Sequence, residues 1–150
     1  MHVHLHEPGF EHKETIESVC QAAARSGFST VCCMPNINPV NDIRKVTEYI
    51  LAKAAEINLV RMLPVAAISK RREGKWLSEY KGLKQAGILG LEYGLRVGRP
   101  PDITIIDPDR SYTVDTAEFR SLSRNTPFGG WQLNGKPVLT MVGGRIVYEF

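Results

Sequence analysis

Histidine is the scarce residue here: His2, His4, His6 and His12 are all there are, and the sequence after position 12 has none. Any site made of imidazoles must therefore be drawn from the first turn of the chain. Cysteine is sparser still, with Cys20, Cys32 and Cys33 only. An odd count, with an adjacent pair inside an apolar run, excludes a secreted disulfide framework and suits reduced, buried thiols. No apolar run approaches the roughly 20 residues that span a bilayer, and the N-terminus lacks a signal-peptide layout. A soluble, cytoplasmic protein is expected. Neither sign of charge dominates, with 19 basic against 16 acidic residues and a net charge of +3. The one dense basic run, Ser69 to Lys75, has no aromatic residues interleaved for base stacking, so it reads as a solvated loop and nucleic acid is not an expected partner.

Apolar residues at 43% and charged residues at 23% give the balance of an ordinary globular domain. The first two thirds alternate between two periodicities. "HVHLH" reads as a strand. The helical stretch that follows places Ile16, Val19, Cys20 and Ala23 on one face and stops at Gly27. "FSTVCCMP" is a continuous apolar strand, and the helix after it lines up Ile43, Val46, Ile50 and Ala54. "LVRMLPVAAIS" and "KWLSEYKGLKQAG" form a third strand and helix, and "ILGL" opens a fourth strand. Successive βα units predict a parallel sheet covered by helices, either open or closed into a barrel. Near Tyr93 the character changes to turn-rich text, a strand ending in "IIDPD", and a hairpin across Gly143-Gly144. The expected division is an α/β segment over 1–92 and a small antiparallel β segment over 93–150.

Alternation along a strand puts His2, His4 and His6 on one face and Val3 and Leu5 on the other. Same-face neighbours lie about 6.6 Å apart, within reach of one ion, whereas His2 and His6 would be about 13 Å apart. Two ligands, His2 and His4, with His6 a bystander, is the metal-binding reading; imidazole suits Zn²⁺ and related ions. A hydrogen-bonded, exposed triplet is the bland alternative. A tag remnant is disfavoured by the core-like Val3 and Leu5 between the histidines.

The text around these histidines is specific. "HVHLHEPGFEHKETIES" closely resembles the first barrel strand and helix of dihydroorotases, in the amidohydrolase superfamily, where the pattern runs His-x-His-x-Arg-Glu-Pro-Gly-Phe-Glu-His-Lys-Glu. "STVCCMPNINPV" is similar to the family's Met-Pro-Asn-Thr-x-Pro segment, and "LPVAAISKRREGKWLSEYKGLKQAG" to its third unit. "GLRVGRPPDITIIDPD" and "SRNTPFGGWQLNGKPVLTMVGGRIVYE" resemble its closing segment. The resemblance implies a (β/α)8 TIM barrel, here three to four βα units of it, beside a small β-sandwich. It also implies reversible conversion of dihydroorotate and N-carbamoyl-L-aspartate in pyrimidine biosynthesis. A bound zinc activates the attacking water and polarises the ring carbonyl, and an aspartate handles the proton.

By the same resemblance His2 and His4 are metal ligands and Asn36 is a substrate contact. His6 stands where the family has an arginine that grips the substrate carboxylate, and it replaces a permanent bidentate cation with a mostly neutral ring. The family's later histidines and aspartates have no counterparts. Where an acidic stretch is expected beyond "AGILGL", the text reads "EYGLRVG", which belongs to the closing region. The expectation is that the middle of the barrel is missing at a junction between Leu89 and Leu91, and that the front of the sandwich is cut as well. Replacement donors are not expected. Asp102, Asp107, Asp109 and Asp115 read as turn residues, Asp42 as an N-terminal helix charge (an N-cap or first-turn residue), and Glu11 and His12 as capping groups. Cys32 and Cys33 alternate, so one alone could face the site, and Lys70 reads as a loop lysine. No residue is assigned a catalytic role. The expected behaviour is an inactive dihydroorotase-like segment prone to self-association. The alternative is a non-catalytic scaffold beside aspartate carbamoyltransferase.

Overall fold

A computed structural model describes residues 2–88 and 100–150. The "ILGL" strand beyond Ile88, the inferred junction and the 92/93 boundary lie outside those residues. The first unit holds a three-stranded parallel sheet, β1 (His2–Val3), β2 (Thr30–Cys33) and β3 (Arg61–Pro64), ordered β1-β2-β3. Each strand is followed by a helix: α1 (Ile16–Arg25), α2 (Arg44–Ile57) and α3 (Tyr80–Ala86). The α1 face expected from spacing is the buried one, with Ile16, Val19, Cys20 and Ala23 all in the core. Thr15 caps it reciprocally: the Ser18 N–H donates to Thr15 Oγ1 and the Thr15 N–H to Ser18 Oγ, each at 3.1 Å. Val46, Ile50 and Ala54 of α2 pack into the same core. Removing an Ile or Leu side chain of this kind from water contributes about 1.5–3 kcal/mol.

Two local expectations are overturned. Asp42 is no cap. Residue Ile43 takes the N-cap position of α2 without a side-chain bond, while the buried Asp42 carboxylate accepts the Arg71 N–H at 2.6 Å. An aspartate that meets a loop donor from a later unit is lost to its own helix. The third helix is shorter than "KWLSEYKGLKQAG", because Ser69 and Leu77 form an antiparallel bridge that holds the segment before Tyr80 extended. Gly87, at φ 102°, ends α3 in the left-handed conformation that glycine adopts without cost. The bridged loop leaves Ile68, Trp76 and Leu77 between 70% and 74% exposed beside the solvated Lys70–Arg72 turn.

The tail is an antiparallel sheet, β4 (Ile103–Thr113), β5 (Gln132–Val142) and β6 (Arg145–Glu149), in that order. Gly143 and Gly144 both have positive φ, as a two-residue hairpin turn demands. The "IIDPD" turn does not occur. The strand continues through it, with pairing jumping from Asp107–Lys136 to Ser111–Asn134. Pro108 has no N–H to give the ladder, so the mismatch is absorbed as a bulge rather than a chain reversal. β5 likewise claims the end of the turn-rich text before the hairpin, from Gln132.

The tail is fastened to α1. Wholly buried Thr140 donates from Oγ1 to the Ala24 carbonyl at 2.7 Å, and Thr104 Oγ1 donates to the Gly27 carbonyl. A Cβ on Gly27 would stand 2.5 Å from Thr104 Cγ2, so this close approach requires glycine. Val147 and Tyr148 lean on the core of the first unit. The buried Glu14 carboxylate accepts from the Ser18 and Ser121 hydroxyls and, at 3.0 Å, from the Leu122 N–H. Burial pushes the Glu14 carboxyl up, but hydrogen bonds from Ser121, Ser18 and the backbone at Leu122 and Ser123 outweigh it and hold the group below its ordinary value. A depressed carboxyl contributes stability that is complete above its unfolded value and is lost as pH falls through the folded one. Glu14→Gln is therefore expected to cost about 1–2 kcal/mol at pH 7. It should also flatten the acid limb of stability below the ordinary carboxyl range, read by urea unfolding at neutral pH and at acid pH. An unchanged acid limb would sink this assignment.

Candidate functional site

The site grows from the end of β1. Leu5, with no exposed surface, turns into the core, and the flanking His2 and His4 stay exposed on the other side. Their Nε2 atoms are 3.1 Å apart. Two nitrogens held at about 2.0–2.1 Å from one tetrahedral ion would be separated by roughly 3.4 Å. The pair therefore has the spacing of two donors on a common ion. His4 Nδ1 lies 2.7 Å from Asn36 Oδ1. An amide oxygen only accepts, so Nδ1 carries the proton and Nε2 presents its lone pair. His2 must then donate its Nε2–H in the metal-free pair.

Asn36 is brought to His4 by packing of two loops. The Asn38 N–H donates to the Pro8 carbonyl at 3.0 Å, and a Cβ on Gly9 (φ 100°) would lie 2.2 Å from the Asn38 carbonyl oxygen. Pro8-Gly9 is thus the stop that lets the segment beyond β2 close over the histidines.

His6 departs from the expected strand. β1 ends at Val3, and His6 has φ 63°, in the left-handed region, with its carbonyl accepting the Phe10 N–H at 2.7 Å. The His6 ring sits 6.4 Å from that of His4, centroid to centroid. Burial, then the positive charge of Lys13 with His4 and His12 nearby, holds the His6 imidazole below its ordinary value against a weaker pull from Glu14.

Cys32 pairs in register with His2, so the two share a face of the sheet, while Cys33 faces the helices with Val3. Burial pushes the Cys33 thiol up to about 12 and that of Cys20 to about 11. Both are inert core thiols. Lys70 is a loop residue, 3.4 Å from Glu79. Glu11 and His12 do not cap α1, which starts at Ile16; the exposed Glu11 accepts the Gly9 N–H at 2.8 Å, and this bond first of all lowers its carboxyl. Asp102 accepts from the Gly143 N–H and Asp115 from the Ala117 N–H, and Asp107 accepts from the Asp109 N–H, all within the tail. Among the described residues, no three His, Cys, Asp or Glu side chains are grouped to hold an ion.

Sequence reading missed Glu7. Its carboxylate accepts the first N–H of α1, at Ile16, and the Tyr49 hydroxyl, at 2.8 and 2.9 Å. Burial first, and then this bond to Glu7, push the Tyr49 hydroxyl up to about 12. The one local signal was an acid placed shortly before a helix start.

The dihydroorotase of Syntrophus aciditrophicus (strain SB) is 56% identical over 89 residues, 59% of this chain and 21% of the relative. That of Brevibacillus brevis is 53% identical over 90 residues, 60% of this chain and 21% of the relative. The chain thus spans about a fifth of the length of the curated relatives it matches. Among solved structures, the L-hydantoinase (dihydropyrimidinase) from Arthrobacter aurescens covers 95% of this chain and 49% of its own, at 18% identity and a TM-score of 0.34. The family model for dihydro-orotase-like proteins matches residues 1–97, nearly two thirds of the sequence and the whole of the histidine site. The chain belongs to the dihydroorotase-like family.

Proposed function

We propose that this chain carries the first-strand metal-binding element of a dihydroorotase-type cyclic amidohydrolase and does not turn over substrate by itself. The observation that supports this reading is the pair of Nε2 atoms 3.1 Å apart, with His4 oriented by Asn36. His2 and His4 would hold a divalent ion, zinc by the resemblance. When bound, the ion would acidify a water and polarise the amide carbonyl of dihydroorotate or the carboxyl group of N-carbamoyl-L-aspartate. Catalytic zinc usually takes three protein ligands and a separate group to move the proton. His2 and His4 supply two donors, and no histidine follows His12 to complete the set. His6, as a neutral ring, would offer the substrate carboxylate one N–H in place of the guanidinium fork of the family. The three βα units correspond on this reading to the opening of the (β/α)8 barrel and the tail to its β-sandwich. The three unpaired thiols support a reducing, cytoplasmic setting.

Titration of the purified chain with Zn²⁺ should show one weakly held ion per chain. The same preparation, assayed with dihydroorotate and with N-carbamoyl-L-aspartate, should show no conversion above the uncatalysed rate. Failure to take up an ion would overturn the metal-site reading. Conversion abolished by a chelator would overturn the two-donor limit.

A further inference from the structure

We propose that Asn36 is a positioning residue: it locks His4 in the Nδ1–H tautomer, so that one donor nitrogen is set for a divalent ion before the ion arrives, while His2 must change tautomer as the ion binds. This deepens the metal-site reading above and rests on it. Two hydrogen bonds set the tautomers of the pair. Asn36 Oδ1, at 2.7 Å from His4 Nδ1, can only accept, so the proton of a neutral His4 resides on Nδ1. His4 Nε2 is then an acceptor, and its partner at 3.1 Å, His2 Nε2, must be the donor. An ion seated between the two Nε2 atoms needs a lone pair from each. His4 already offers one, whereas His2 has to move its proton to Nδ1.

The two ligands are unequal for a visible reason. Among the described residues no hydrogen bond is seen at His2 Nδ1, while His4 Nδ1 is held by a side chain 32 residues away in sequence, on the loop closed over the site by Pro8-Gly9. Outer partners of this kind fix the ring orientation and tautomer of a ligating histidine, and their loss typically lowers metal affinity 10–100-fold. Asn36 is only half-buried, so the role can be probed without opening the core.

The test reads ¹⁵N chemical shifts of the imidazoles at pH about 8, above the ordinary histidine range. In the metal-free chain His4 should be the Nδ1–H tautomer and His2 the Nε2–H tautomer; with saturating Zn²⁺ both should be Nδ1–H. In Asn36→Ala the metal-free His4 should become a mixture, and Zn²⁺ affinity should fall about 10–100-fold. Asn36→Asp keeps an acceptor at the same place and should restore both the tautomer and the affinity. A His4 that is Nε2–H in the parent chain, or that stays Nδ1–H in Asn36→Ala, overturns the proposal. Should the parent chain take up no Zn²⁺, the metal-site reading fails, and the metal-free spectra still decide whether Asn36 holds His4.

Discussion

Leu5→Ala should lower the unfolding free energy by about 2–5 kcal/mol, the range for truncating a fully buried leucine. Domains of this kind are typically stable by only about 5–15 kcal/mol, so such a loss is a substantial share of the total. Leu5 has no exposed surface and belongs to the core formed by Ile16, Val31, Ile50 and their neighbours, so its loss leaves a cavity that strands and helices from three units cannot close together. The same side chain anchors the chain between His4 and His6, so the substitution should also broaden the imidazole resonances. Urea unfolding followed by circular dichroism measures the first effect. Ile106→Ala is the control: that side chain is 57% exposed, and a change within about 0.5 kcal/mol is expected there. A Leu5→Ala cost no larger than that of the control would contradict the core placement of the histidine segment.

His4→Ala should lower Zn²⁺ affinity by more than about 100-fold, beyond what loss of an outer partner does. Three effects act together. One of two donor nitrogens disappears, the remaining His2 ring loses its neighbour at 3.1 Å, and Asn36 loses the group it orients. His6→Ala should leave affinity almost unchanged, because the His2 and His4 Nε2 atoms already pair at 3.1 Å while the His6 ring stands 6.4 Å from that of His4. Calorimetric titration of the parent and both variants separates the cases. Equal losses from His4 and His6 would mean that all three imidazoles share the ion, contrary to the geometry described above.

How much of this was legible in the sequence depends on the distance over which each feature is decided. The buried faces of α1 and α2 were, because burial with a period of 3.6 is written into consecutive residues such as Ile16, Val19, Cys20 and Ala23. The Gly143-Gly144 hairpin was legible for the same local reason. The carboxylates were not. Asp42 reads as a cap until Arg71, 29 residues later, is seen to claim it, and Glu14 is satisfied by Leu122, 108 residues away. A polar residue before a helix looks the same whether it caps its own helix or clamps a remote loop. The candidate site was half legible. His2, His4 and Asn36 were each singled out, but as metal ligands and a substrate contact. The bond between His4 and Asn36 depends on how β1 meets β2 and on the Pro8-Gly9 stop, neither of which spacing reveals. His6 was misplaced because alternation was extended past Val3, where the approach to a proline turn had already ended the strand.

The two imidazoles of the site lie on one short stretch of backbone, separated by a single residue. An unfolded chain keeps them almost as close, so it retains much of its capacity to chelate. Ligand that associates with both states shifts their balance little. Only the roughly 10–100-fold that Asn36 adds in the folded chain separates the two states, so saturating zinc should raise the melting temperature by only a few degrees, unlike small domains whose metal ties together distant parts of the chain and which collapse when it is stripped away.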